Sequence, residues 1–153
     1  MDEQAFRETL LSLDTLSCVF RKPVLSRCCA CGKASKMNIA EREAVNCTDE
    51  QAYAQCRELA GLLRENSRFA LKIHHPFERL PHGQIMRIYC GGLLGLQSLL
   101  NPDQSGTERV DDIHALVAEA CARYGELEAI PYTEVVKVIV HYQWRRRGPL
   151  NPA

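Results

Sequence analysis

The stretch His82-Gly83-Gln84-Ile85-Met86-Arg87-Ile88-Tyr89-Cys90-Gly91-Gly92-Leu93-Leu94-Gly95-Leu96-Gln97-Ser98-Leu99-Leu100 decides how the rest of the chain is read. It is too long for a strand, which runs roughly 3–10 residues, and beyond Arg87 it carries no charged side chain. The expectation is a buried helix. Gly91, Gly92 and Gly95 each cost a helix interior about 1 kcal/mol relative to alanine. Either another element approaches closely at these positions or the helix breaks.

Helical signals dominate outward from there. Asn101 to Gly106 reads as a loop, and Asp111 to Gly125 as a helix with Ile113, Leu116, Val117, Ala120 and Tyr124 inward and Gly125 as its stop. Thr133 to Arg146 reads as a final helix, with Thr133 at its start and Arg145-Arg146-Arg147 at its negative end. On the other side, Thr48 followed by Gln51 fits a capping box. Ala52, Tyr53, Cys56, Leu59, Ala60 and Leu63 then share one face of a helix that fades near Asn66. Phe69 to Ile73 alternates and reads as a short strand or extended link closed by His74-His75-Pro76. Asp2 to Leu13 fits a short amphipathic helix, whereas Cys18 to Met37 keeps no period. The expected fold is mainly α, a small helical domain with an irregular N-terminal cysteine-rich loop region. One domain spans 1–153, with a cysteine-rich metal- or cluster-binding part over 15–60 and a helical core part over 80–147.

Composition bounds the function. The chain has 153 residues, 46% apolar and 25% charged, with 19 basic and 19 acidic side chains. Zero net charge argues against a protein that coats nucleic acid or an anionic membrane. No apolar run reaches the ~20 residues that span a bilayer. Met1-Asp2-Glu3-Gln4 is acidic where a secretory signal is basic and then apolar. The expected location is the cytoplasm.

Eight cysteines then need explaining, since a reducing cytosol disfavours structural disulfides. Cys18, Cys28, Cys29, Cys31, Cys47 and Cys56 crowd the first 56 residues. Cys28 and Cys31 form C-x-x-C, a spacing that turns two thiolates toward one metal from a tight turn. Cys47 precedes a helix start, where free N–H groups favour a thiolate. The order C-x2-C-x15-C-x8-C makes Cys28, Cys31, Cys47 and Cys56 the expected ligands, with Cys18 and Cys90 as further candidates for the cofactor.

Spacing speaks to the metal. A zinc ion holds four sulfurs roughly 3.8 Å apart on bonds of ~2.3 Å. Eight largely helical residues between Cys47 and Cys56 can separate their α-carbons by about 12–13 Å. A four-iron cluster (4Fe-4S) is several ångströms across and accepts wider spacing, so iron–sulfur is favoured over zinc. Residues 18–37 hold Arg21, Lys22, Arg27, Lys33 and Lys36 and no acid, a surround that suits an anionic thiolate centre of either kind.

The other features are blander. Cys29 reads as spare or packed, and Cys121 as a core thiol. Cys90 beside Gly91-Gly92 suits close approach of a cofactor or of another helix. His74, His75 and His82 read as solvated loop residues, Glu41-Arg42-Glu43 as a turn with local charge pairs, and Arg145-Arg146-Arg147 as a basic helix end. No phosphate loop, dinucleotide fingerprint, H-E-x-x-H or G-x-S-x-G is present. The resulting expectation is a small cytoplasmic iron–sulfur protein for electron transfer, redox support or cluster handling. It serves a larger protein system, has no independent catalysis, and has no nucleic-acid partner. The alternatives are a zinc-stabilised helical interaction module, a metal-free thiol redox sensor using Cys28 and Cys31, and a helical enzyme using Cys90 or a loop histidine.

Overall fold

The computed structural model describes residues 4, 16–39, 42–74, 79–104 and 107–143. In chain order the elements are β1 (Leu16–Ser17), α1 (Arg21–Leu25), β2 (Ala34–Ile39), β3 (Arg42–Cys47), α2 (Glu50–Ser67), α3 (His82–Leu100), α4 (Ile113–Tyr124) and α5 (Tyr132–His141). The architecture is mainly α, with a small antiparallel sheet in the order β1-β3-β2. Among the described residues no helix is long and apolar enough to cross a membrane.

α3 is continuous across its glycines and is the axis of the core. Residues 88–97 are all buried. A Cβ on Gly91 would stand 3.0 Å from the Ile139 α-carbon, and one on Gly95 would stand 3.2 Å from the Val135 carbonyl oxygen. α5 therefore lies directly on the glycine face. Gly92 faces α2 instead, where a Cβ would meet the Leu63 side chain at 2.8 Å. Arg87 donates to the carbonyls of Ile139 and Val140, satisfying the C-terminal end of α5 from across the contact. Phe20 joins the N-terminal region to the same core, edge-on to Tyr89 with ring centroids 5.2 Å apart.

The helix ends follow from local chemistry. The Asp49 carboxylate accepts from the N–H groups of Gln51 and Ala52, so the cap of α2 lies one residue after the expected Thr48. Thr48 instead donates its hydroxyl to the Lys33 carbonyl. Asp112 caps α4 through the His114 N–H and also accepts from Gly32 N–H at 3.0 Å, fastening the cysteine-rich loop to that helix. Gly125 ends α4 at φ 87°, a conformation that favours glycine.

Three local expectations are corrected. Residues 69–73 form turns rather than a strand, with Phe69 almost fully exposed. Of the alternating apolar residues, Ile73 is buried in the core and Leu71 packs against it, while Phe69 is left in solvent. The β2–β3 hairpin, with Ala34 paired to Cys47 and Ile39 to Arg42, arises within and after a stretch read as irregular. Ala44, Val45 and Asn46 are consecutively buried in β3, so the central strand shows no period of two. The last helix runs Tyr132–His141 rather than from Thr133 to Arg146. The helix expected over Asp2–Leu13, and Glu41, His75, Trp144 and Arg145-Arg146-Arg147, lie outside the described residues.

Substitution separates glycines that admit a neighbour from glycines that do not. Gly91→Ala gains about 1 kcal/mol of helix propensity but presses a methyl against backbone that cannot swing away, an overpacking cost of about 1–3 kcal/mol. Chemical denaturation should show a net loss of up to about 2 kcal/mol. Gly61 in α2 is exposed with nothing within 4 Å of its Cβ position, so Gly61→Ala should stabilise by about 0.5–1 kcal/mol.

Candidate metal centre

β3 and α2 set two thiols. Cys47 is the last residue of the central strand, paired with Leu16 on one side and Ala34 on the other. Its Sγ lies 3.2 Å from the Asp49 carbonyl oxygen. The chain then turns through Asp49 into α2, which presents Cys56 two turns on. β1 delivers a third thiol, because the Cys18 N–H donates to the Val45 carbonyl at 2.8 Å and holds Cys18 beside β3. Cys31 comes from the turn before β2, and its sulfur accepts from Lys33 N–H at 3.4 Å. Cys18, Cys31, Cys47 and Cys56 line one cavity of about 20 Å³, closed by Val19, Phe20, Ala34, Ala52, Tyr53 and Ile113.

The cavity wall holds no carboxylate and no imidazole. Burial pushes the Cys18 thiol up to about 11, with smaller upward contributions from Cys31 and Cys47. Burial pushes Cys56 up to about 12, and the neighbouring Cys18, Cys31 and Cys47 add to it. Each thiolate would therefore be disfavoured twice, by loss of water and by the other sulfurs. A cation among them removes the second cost and offsets the first. Among the described residues no group of three or more His, Cys, Asp or Glu side chains stands in a coordinating arrangement, so the sulfurs line the cavity without closing on one point. Rotation about χ1 is the freedom a cysteine has to close that gap.

The expected ligand set is thus divided. Cys31, Cys47 and Cys56 come together, and Cys18 stands with them. Cys28 does not: it forms a disulfide with Cys90 of α3, across a Cα–Cα distance of 6.5 Å. The C-x-x-C spacing converges only if it makes a tight turn. Here the backbone of 28–30 runs alongside Val110, with Val110 N–H donating to the Cys28 carbonyl and Ala30 N–H to the Val110 carbonyl. That pairing keeps Cys28 and Cys31 from aiming at one point. The disulfide partner of Cys28 is thus Cys90, not the Cys31 of the redox-sensor alternative. Cys29 is buried, lies with its sulfur 3.3 Å from that of Cys28, and is pushed up to about 12 by burial.

The remaining candidates stay apart from the cavity. Cys121 is half-buried, packs against the core and receives a weak contact from Gln55 Nε2 at 3.8 Å. His74 and His82 are exposed, and Glu43 is exposed on β3 opposite Asn38. Cys18 was legible only as a thiol near the others, because the strand pairing that brings it in spans nearly thirty residues. The chain matches no family model, no curated protein and no solved structure.

With metal removed and all thiols reduced, Cys18 and Cys56 are neutral at pH 8. Their alkylation by iodoacetamide, followed by peptide mass spectrometry, should run more than about a hundredfold slower than that of an unstructured cysteine of ordinary pKa near 8.5. The rate should climb steadily up to about pH 11.

Proposed function

We infer that this chain is a small iron–sulfur protein of the cytoplasm whose cluster is held by Cys18, Cys31, Cys47 and Cys56. Its role is electron transfer, redox support or cluster handling for a larger protein system, not catalysis of its own. One observation carries the reading: four thiols from four separate segments line one apolar cavity with no competing carboxylate or imidazole. Soft sulfur donors without oxygen donors select zinc or iron–sulfur centres over hard cations. Structural zinc usually draws its ligands from two short knuckles. None of these four thiols shares a C-x-x-C knuckle with another, which favours a cluster over zinc, and the walls of the 20 Å³ cavity would part to admit it. A centre of this kind would tie β1, β3, α2 and the 28–33 loop together.

A second reading has its own support. The Cys28–Cys90 bond lies beside the Cys29 sulfur, an arrangement suited to reversible thiol oxidation, with Cys90 rather than Cys31 as the partner of Cys28. In a reducing compartment Cys28 and Cys90 would stand as thiols. The cluster reading does not use them.

Anaerobic purification separates these readings. The cluster predicts brown protein with iron and sulfide in similar amounts and a paramagnetic resonance signal on reduction. Cys18→Ser, Cys31→Ser, Cys47→Ser and Cys56→Ser should each lose most of the iron and loosen the N-terminal third, since metal contributes on the order of 10 kcal/mol to small metal domains. Cys28→Ser and Cys121→Ser should keep it. Colourless protein with one zinc would replace the cluster by a zinc centre. Metal-free protein whose thiol count falls by two on mild oxidation would establish the redox reading instead.

A further inference from the structure

Beside the thiol cavity, and sharing Cys31 and Ala34 with it, lies a second and larger concavity of about 240 Å³. Three basic residues from distant parts of the sequence line it: Arg27 from the turn after α1, Lys36 from β2 and Arg109 from the segment before α4. No acidic residue is on its wall. Arg109 makes an exposed pair with Asp111 at 3.5 Å, but that carboxylate does not line the cleft. Three like charges around one concavity repel one another, and a bound anion relieves that repulsion.

Backbone strain at one of the three is a separate observation. Arg27 sits at φ 71°, a left-handed conformation that a bulky side chain adopts at a cost of about 1–2 kcal/mol and that glycine adopts freely. The conformation is held in place: Cys28 N–H donates to the Pro23 carbonyl, and Arg109 Nη1 donates to the Arg27 carbonyl at 3.1 Å. Arg109 is itself anchored, because the Gln97 side chain donates to its carbonyl at 3.1 Å. Local sterics would choose glycine at position 27. The residue present carries a guanidinium on the cleft wall, and strain of this kind gathers at functional sites.

We propose that this cleft binds a small multivalent oxyanion, a phosphate or a di- or tricarboxylate, through Arg27, Lys36 and Arg109. The volume suits a small molecule rather than a stretch of polymer. Arg27 supplies a planar fork that matches oxyanion geometry, Lys36 supplies a point charge, and Arg109 supplies the N–H groups left over from its bonds to the Arg27 carbonyl and Asp111. Binding depends on these side chains and holds whatever occupies the thiol cavity.

The test is titration calorimetry on the full chain, purified with and without added iron, using inorganic phosphate and citrate separately at low ionic strength. Saturable one-to-one binding of either anion is expected, and the preferred anion assigns the ligand to the phosphoryl or the polycarboxylate class. An Arg27→Gln/Lys36→Gln variant should bind at least about tenfold more weakly, while Lys137→Gln on the exposed face of α5 should bind as the unaltered chain does. Arg27→Gly guards against a folding artefact: it should raise the thermal midpoint by relieving the backbone and still weaken binding by about threefold or more. Absence of saturation up to about 10 mM, or equal binding by the double variant, would overturn the proposal. Neither result depends on iron, so the cleft and the cluster stand or fall separately.

Discussion

The distance between the Gly91 Cβ position and the Ile139 α-carbon, 3.0 Å, is the clearance on which this fold is built. Three glycines lower the intrinsic helix stability of α3 by about 1 kcal/mol each, and only close packing offsets that. α5 supplies it along Gly91 and Gly95, and Leu63 of α2 supplies it at Gly92. α3 thus meets a different helix on each of two faces, and those contacts fix where α2 lies. Cys56 rides on α2. The position of one candidate ligand therefore follows from a glycine contact in another part of the chain.

The N-terminal region reaches the same core by different means. It has few large apolar residues, and most of its order comes from backbone pairing: β1 and β2 on either side of β3, and residues 28–30 along Val110. Phe20 against Tyr89 and Asp112 against Gly32 N–H pin this thin layer to the helices. Such a layer buries little apolar surface per residue, and in small domains metals or disulfides usually make up for that. The Cys28–Cys90 bond and the four-thiol cavity stand on this same layer, one at its contact with α3 and the other between its strands and α2.

Sequence reasoning reached the helices because their signals are local. The period of α2, the Gly125 stop and the length of the 82–100 stretch are each contained in about twenty residues or fewer. The hairpin was missed because Ala44-Val45-Asn46 is buried without alternation and the flanking strands are short and polar. Three of the four cavity thiols were legible as a group from density and spacing alone. The fourth thiol on the cavity is Cys18 and not the expected Cys28, for a specific reason. C-x-x-C implies convergence only when the intervening backbone turns, and here Val110, some eighty residues away, holds it alongside instead. Cys18 takes that place through a hydrogen bond to Val45, and Cys90 takes up Cys28. Both are long-range outcomes that no window of sequence contains.

The charge pattern of residues 18–37 acquires a structural meaning in the same way. Five basic residues and no acid look like a general positive surround for a thiolate centre. In the folded chain they are not equivalent. Lys33 is held by Asp49 at 3.9 Å beside the start of α2, whereas Arg27 and Lys36 face the larger cleft together with Arg109 from outside the segment. Zero net charge over 153 residues says little about a concavity three side chains wide. Cys31 borders both cavities, so a positive wall on one side of it lies next to sulfurs on the other. Positive potential in the cleft favours anion over water there, while burial holds the Cys18 and Cys56 thiols neutral on the other side. The two concavities share a wall and differ in what they can hold, because three basic side chains line the cleft and none lines the thiol cavity.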